Sequence, residues 1–283
     1  MPRLTGRLSS AWIVFAMASA FDPWSEPTRA AEVATKQIAD LTYDIYVGGL
    51  HIFSFNVEMV LQPDRYRVTA AGETRGMVGW VYAWNLKLAA EGLDRNGRIE
   101  PRLYRAETQW KSRQRKIALG FSESGRFDLN QEPPPEPDPD IEGELPESLP
   151  QGTVDPLSFA IAASRALAES GRCDQTVPVF DGQRRFDAVV KDLGPTVLPP
   201  NPYSIYQGPA VRCSLGIARI SGFRKSLRSA RESGAEPPAI WMASIRPDLP
   251  PVPVRYEGEI KLGKIVVHLT DAEYRVESAG AIE

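Results

Sequence analysis

The sequence predicts a mainly β protein: one long, curved antiparallel sheet with a single main helix inserted between its two halves. Three observations lead there. Period-2 alternation is clearest from Leu41 to Leu61, where Leu41, Tyr43, Ile45, Phe53, Phe55, Val57, Met59 and Leu61 are apolar and Ser54, Asn56 and Glu58 are polar. Turn residues recur at short intervals, as Asp94-Arg95-Asn96-Gly97, Glu123-Ser124-Gly125, Asp181-Gly182 and Gly263. One stretch alone combines helical spacing with a cap at each end.

In chain order, the first element is an export signal. Arg3 and Arg7 precede any acid, Leu8 to Phe21 is apolar or small, and Ala18-Ser19-Ala20 offers a small-x-small cut. The expected secretory signal peptide is residues 1–20, with a second possible cut near residue 30, and the mature chain is a single β-rich domain over 31–283. The apolar run falls short of the roughly 20 residues that cross a bilayer. No later segment is long and apolar enough, so no transmembrane segment is expected in the mature chain.

Gly48-Gly49 interrupts the first alternating stretch. A two-residue hairpin there places Ser54, Asn56 and Glu58 on the face of Tyr43 and Ile45. One long strand bent at the glycines keeps the apolar residues together and is the expectation; a longer glycine loop with a bulge also restores parity. Further strands are expected around Tyr66–Ala70, Leu86–Glu91 paired with Leu103–Trp110, and Arg113–Phe121 paired with Arg126–Leu129. Residues 132–150 are acidic and proline-rich, which suits neither sheet nor helix, and read as a solvated connector.

The helix starts at Asp155 as N-cap with Pro156 in the first helical position, and Gly171 closes it. Leu157, Ala160, Ile161, Ser164 and Leu167 recur at helical spacing. Strands resume at Val177–Phe180 and Arg184–Val190 around Asp181-Gly182, a dipeptide favoured in type I′ hairpins. Ser204–Ile217, Ile240–Ile245, Arg255–Leu262 and Ile265–Tyr274 complete the expected strands.

The two cysteines, Cys173 and Cys213, suggest a disulfide in an exported chain; two buried free thiols are the alternative. The formal net charge of −3, without a basic stripe, argues against nucleic acid. The two histidines, His51 on the apolar face of its strand and His268 within Val266-Val267-His268-Leu269, read as structural. No local spacing joins them to the cysteines as zinc ligands, no G-x-S-x-G turn presents a nucleophile, and no glycine loop cradles phosphate. No catalytic, metal or cofactor residues are therefore assigned, and no cofactor is expected. Arg184-Arg185 and Arg224-Lys225 with Arg228 and Arg231 form basic clusters on a surface segment.

The order of motifs resembles a known family. Tyr46-Val47-Gly48-Gly49-Leu50 stands near the start, followed by Val154-Asp155-Pro156-Leu157-Ser158, Gly171-Arg172-Cys173-Asp174 and Val179-Phe180-Asp181-Gly182-Gln183-Arg184-Arg185. Tyr206 to Cys213, Ile220-Ser221-Gly222-Phe223, Ile240-Trp241 and Leu249 to Arg255 complete it. Together these resemble the bacterial envelope family catalogued as domain of unknown function 3108. The resemblance implies a periplasmic protein similar to lipoprotein carriers, an incomplete barrel cupping its helix, and no transferable catalytic residue.

The leading functional expectation is thus a non-enzymatic binding or chaperone-like protein that shelters a lipid or lipoprotein segment. Its candidate apolar cavity is formed by Tyr43, Ile45, Phe53, Phe55, Phe159 and Ile161. A structural envelope-integrity factor, acting through protein partners at 132–150 and the basic segment after Gly222, is the alternative. A hydrolase of envelope polymers using an unrecognised acid pair is the third.

Overall fold

The computed structural model describes residues 35–136, 138–225, 237–247, 249–260 and 262–278. The expected signal peptide and Arg228 and Arg231 lie outside the described residues. The chain runs through β1 (Thr35–Val47), β2 (Leu50–Leu61), β3 (Arg65–Thr74), α1 (Gly76–Val81), β4 (Trp84–Arg95), β5 (Arg98–Trp110), β6 (Arg113–Phe121) and β7 (Phe127–Glu132). After β8 (Ile141–Glu142) come α2 (Pro156–Ser170), β9 (Gln175–Phe180), β10 (Arg185–Leu198), β11 (Gly208–Ser221), β12 (Phe223–Arg224), β13 (Ala239–Ala243), β14 (Val252–Ile260) and β15 (Gly263–Ser278).

Thirteen of these strands form one antiparallel sheet in the order β7-β6-β5-β4-β3-β2-β1-β15-β14-β13-β11-β10-β9. Each half of the chain is a meander, and the first and last strands join them. β1 pairs β15 from Thr35↔Ser278 to Val47↔Ile265, with one bulge beside Thr42. The outer edges are β7 and β9, the two strands that precede and follow the connector and α2. No ladder of hydrogen bonds closes β7 to β9. Side chains nevertheless bring these edges together: the rings of Phe127 and Phe180 lie 5.2 Å apart, and Gln131 Nε2 donates to the Gly182 carbonyl at 2.6 Å. A sheet whose outermost strands touch must curve strongly, as twisted antiparallel sheets do.

The expectation of a single bent strand from Leu41 to Leu61 is corrected. Gly48 and Gly49, at φ 56° and 87°, make a two-residue hairpin that pairs Val47 with Leu50. The parity problem is solved by a bulge instead. Tyr46 pairs His51 but Ile45 pairs Phe53, which leaves Ile52 as the extra residue in β2. Beyond it Tyr43 faces Phe55 and Leu41 faces Val57, so the apolar set shares one face after all. The same bulge moves His51 off the apolar face, against expectation, to stack on Tyr46 at 5.1 Å.

Two other expectations are adjusted. Asp181-Gly182 is not a two-residue turn: Phe180 pairs Arg185 across a four-residue loop, in which Asp181 Oδ1 accepts from the Gln183 and Arg184 amides. The strand bearing Cys213 begins at Gly208 rather than Ser204. The hairpin at Asn96-Gly97, the caps of α2 and the final hairpin fall where expected, although β15 starts at Gly263 itself. The acidic connector is partly engaged. β8 pairs β12, and Arg224 meets Asp138 at 2.9 Å.

Cys173 and Cys213 form a disulfide across a sequence separation of 40. It ties the segment after α2 to β11, within an apolar cluster containing Leu167, Val190 and Met242. On the chain-entropy account a loop of this length contributes about 4 kcal/mol. The double variant Cys173→Ser/Cys213→Ser is therefore expected to unfold at lower denaturant, with ΔG reduced by about 4 kcal/mol. An unchanged midpoint, measured without reductant, would remove the bridge from the account of stability.

Candidate functional site

The inner face of the sheet is not covered uniformly. α2 lies toward the end of the sheet that carries the β2–β3 and β4–β5 turns. Its Ser158 hydroxyl is 2.6 Å from the hydroxyl of Tyr66, near the start of β3. Its Arg165 pairs with the buried Asp94 carboxylate at 3.0 Å, close to the β4–β5 turn. There Leu41, Met59, Val68 and Ile161 pack into one buried cluster.

The other end carries the β1–β2, β5–β6 and β14–β15 turns and the α1 connection between β3 and β4. Here Ile45, Phe55, Leu86, Ile265 and Val267 point inward yet are only half-buried. Ala160, on the sheet-facing side of α2, is exposed. Both facts have one cause: a cavity of 510 Å³ lies between them. Its walls are β1, β2, β3, β4, β14 and β15, and its floor is Leu157, Ala160, Ile161 and Ser164 of α2. That volume is within the roughly 300–1,000 Å³ of small-molecule sites.

Of the residues expected at an apolar cavity, Tyr43, Ile45, Phe53, Phe55 and Ile161 line this one together. Tyr43 and Phe55 stack at 4.9 Å, and Phe53 meets Trp84 at 5.0 Å. Phe159 is not with them. It borders a separate 80 Å³ space beside the disulfide, with Leu167, Val190 and Met242. Residues two apart on a helix face in different directions, which separates Phe159 from Ile161. The missed wall residues, Trp84 and Leu86 of β4 and Ile265 and Val267 of β15, sit in strands whose alternation was legible but whose place beside β1 and β2 was not.

Most polar groups at the cavity are already engaged, although the buried Arg255 Nε has no hydrogen-bond partner. Tyr43 Oη donates to the Pro253 carbonyl at 3.0 Å, and burial pushes its phenol well above the usual range. Ser164 Oγ donates to the Pro251 carbonyl. Arg255 contacts the Glu257 carboxylate and lies over the Trp241 ring at 5.4 Å. Buried polar groups that already have partners leave little to recognise a polar guest.

One buried polar cluster fixes the floor. Asp155 caps α2, accepting from the amides of Leu157 and Ser158 at 2.9 Å each and from the Ser158 hydroxyl. Ser158 passes the chain on to Tyr66. Gly92 makes room for this phenol, since a Cβ there would lie 2.5 Å from the Tyr66 oxygen. Burial raises the Asp155 carboxyl to about 6, against the lowering effect of its hydrogen bonds.

On the outer face, Asp44, Ser54 and His51 come together but do not form a catalytic relay. Ser54 Oγ donates to Asp44 Oδ1 at 2.6 Å, and the same His51 nitrogen, Nε2, is 3.0 Å from Ser54 and 3.2 Å from Asp44. A relay needs the acid on one ring nitrogen and the hydroxyl on the other. His268 is buried near Tyr46 and Tyr203, and burial, then the Arg255 guanidinium, holds it below the usual imidazole range. The cysteines are bonded to each other. Among the described residues no cluster of His, Cys, Asp or Glu could hold a metal ion, and no helix is long and apolar enough to cross a membrane.

The sequence pattern of the family described as "Protein of unknown function (DUF3108)" matches residues 42–270. No curated protein matches the chain. Among solved structures, it resembles the β-barrel-like protein of domain of unknown function DUF1849 from Brucella abortus. That protein is 12% identical over 86% of this chain and 98% of its own, with a TM-score of 0.48.

Asp155 sets a pH dependence. Its carboxyl titrates near 6 when folded and near the usual carboxylate value of about 3.9 when unfolded, so folding favours the protonated form. Its contribution is present below about pH 4 and is lost as pH rises through 6. Asp155→Asn keeps the cap but does not titrate. Relative to wild type, the variant is expected to gain about 2–3 kcal/mol between pH 4 and 7, read by denaturant unfolding at each pH. A difference that stays flat over that range contradicts the burial of this carboxyl.

Proposed function

The chain belongs to the DUF3108 family, and we propose that it is a non-enzymatic periplasmic carrier or chaperone-like protein that shelters the acyl chain of a lipid or lipoprotein. In this reading the sheet is an incomplete barrel. α2 plugs one half, and the other half receives the guest. The observation that carries the reading is the row of inward apolar side chains left half-buried opposite the exposed Ala160.

The chemistry selects an aliphatic guest. Each methylene withdrawn from water contributes about 0.8 kcal/mol. A polar guest gains less, because Tyr43 and Ser164 already have partners. The charged or polar end of the guest would remain at the open rim. Export to the periplasm is supported by the basic and apolar start of the chain and by the Cys173–Cys213 disulfide.

The scaffold alternative relied on the acidic connector and the basic segment as contact regions. Arg224 meets Asp138, and Lys225 donates to the Pro139 carbonyl, so these segments satisfy one another where they are described.

Mass spectrometry of solvent extracts from protein purified out of a bacterial envelope tests the proposal. Acyl lipids are expected in wild type. They are expected to fall at least about tenfold in Ala160→Phe, whose ring would occupy the floor of the cavity. The fold of the variant is checked by circular dichroism. A wild type free of lipid, or a folded variant that retains it, argues against carriage.

A further inference from the structure

We propose that the rim at the open end of the cavity docks onto the surface of an anionic lipid bilayer. This inference goes beyond the cavity, since a protein can hold a guest without touching a membrane.

Many of the exposed large apolar side chains lie at this rim, and others, such as Val197, Tyr203 and Ile205, lie elsewhere. Trp80 and Met77 on α1 are 90% and 75% exposed, and Leu262 at the β14–β15 turn is 82% exposed. Leu50 at the β1–β2 turn, Tyr82 after α1 and Trp110 at the end of β5 are exposed as well. Single exposed apolar residues are ordinary, but several gathered at one end of a sheet mark an interaction surface. The residue types favour a bilayer. Trp and Tyr concentrate where one side of the ring is apolar and the other is wet, as at the headgroup layer.

Charge fixes the kind of bilayer. The β5–β6 hairpin carries Lys111, Arg113 and Arg115 close to the aromatic residues and Lys116 further along, opposite Glu107 and Glu132 in register, all four exposed. None of the four makes an ion pair with a described residue, whereas nearby Arg75 and Lys264 are neutralised by Glu73 and Glu257. Lys111 sits 5.8 Å above both the Tyr82 and Trp110 rings, which stack on each other. Unpaired cations interleaved with amphipathic rings suit anionic headgroups above an acyl layer.

The rim is also continuous with the cavity. Trp84 belongs to both, being partly exposed at the rim and packed on Phe53 inside. A bilayer seated here would face the opening, so an acyl chain could pass between them without crossing water.

Co-flotation of the purified protein with phosphatidylglycerol-containing vesicles tests the proposal. Wild type is expected to float with these vesicles, less with pure phosphatidylcholine, and less at high salt. Trp80→Asp is expected to weaken flotation at least about tenfold, because it places a charge at the headgroup boundary. Trp80 is almost wholly exposed, so the variant retains its fold. Val197→Asp makes the same change at a 70% exposed site away from the rim and is expected to float like wild type. Absence of flotation, equal flotation of Trp80→Asp and wild type, or equal loss in Val197→Asp overturns the proposal. So does a rim-dependent dimer in sedimentation without vesicle binding. Ala160→Phe is expected to float normally, so failure of carriage and failure of docking are read separately.

Discussion

A helix of fifteen residues cannot cover the inner face of a thirteen-stranded sheet. The helix is about 22 Å long and roughly 10 Å across, whereas thirteen strands span about 60 Å and the longer ones run about 40 Å. Curvature reduces the mismatch by bringing β7 against β9, but it does not remove it. Where α2 lies, inward residues such as Leu41 and Met59 are buried; beyond its reach, Ile45, Phe55 and Ile265 are not. The cavity is the part of the apolar face that this helix leaves uncovered.

The position of the helix therefore decides the position of the cavity, and polar contacts hold it. Ser158, which donates to Asp155, meets the hydroxyl of Tyr66 on β3, and Arg165 binds Asp94 on β4. All of these lie toward one end of the sheet. Buried polar contacts of this kind cost desolvation and repay it through geometry, because leaving any member unpaired is expensive. The disulfide holds the other side of the helix by fixing its exit to β11. Closure of the two meanders by β1 and β15 keeps the floor and both walls in one cooperative unit.

Much of this was legible in the sequence, for identifiable reasons. Period-2 alternation marks strands well, and Asn96-Gly97 and Asp155-Pro156 mark a turn and a cap by their chemistry. Parity in the sequence admits a bulge beside Gly48-Gly49 as an alternative to a bent strand, but neither the choice between them nor its place at Ile52 is legible, because one extra residue leaves no trace in composition. Without that bulge, alternation puts His51 on the apolar face. Hydrophobicity alone joins Phe159 to Ile161, although helical spacing separates them. Local patterns also say nothing about which strands become neighbours, so Ile265 and Val267 could not be assigned to the wall beside β1. The exposed rings at Trp80, Tyr82 and Trp84 were visible as residues, but their shared rim exists only once α1 and β4 are placed.

The central claim is that the open half of the sheet, and not the space beside the disulfide, receives an acyl chain. The most direct measurement is isotope-filtered NMR with a ¹³C-labelled fatty acid bound to the protein. The account predicts cross-peaks from the acyl chain to Ile45, Phe53, Phe55, Trp84 and Ile161, with none to Phe159. Cross-peaks to Phe159 and Met242 without the first set, or no cross-peaks at all at saturating fatty acid, would contradict it.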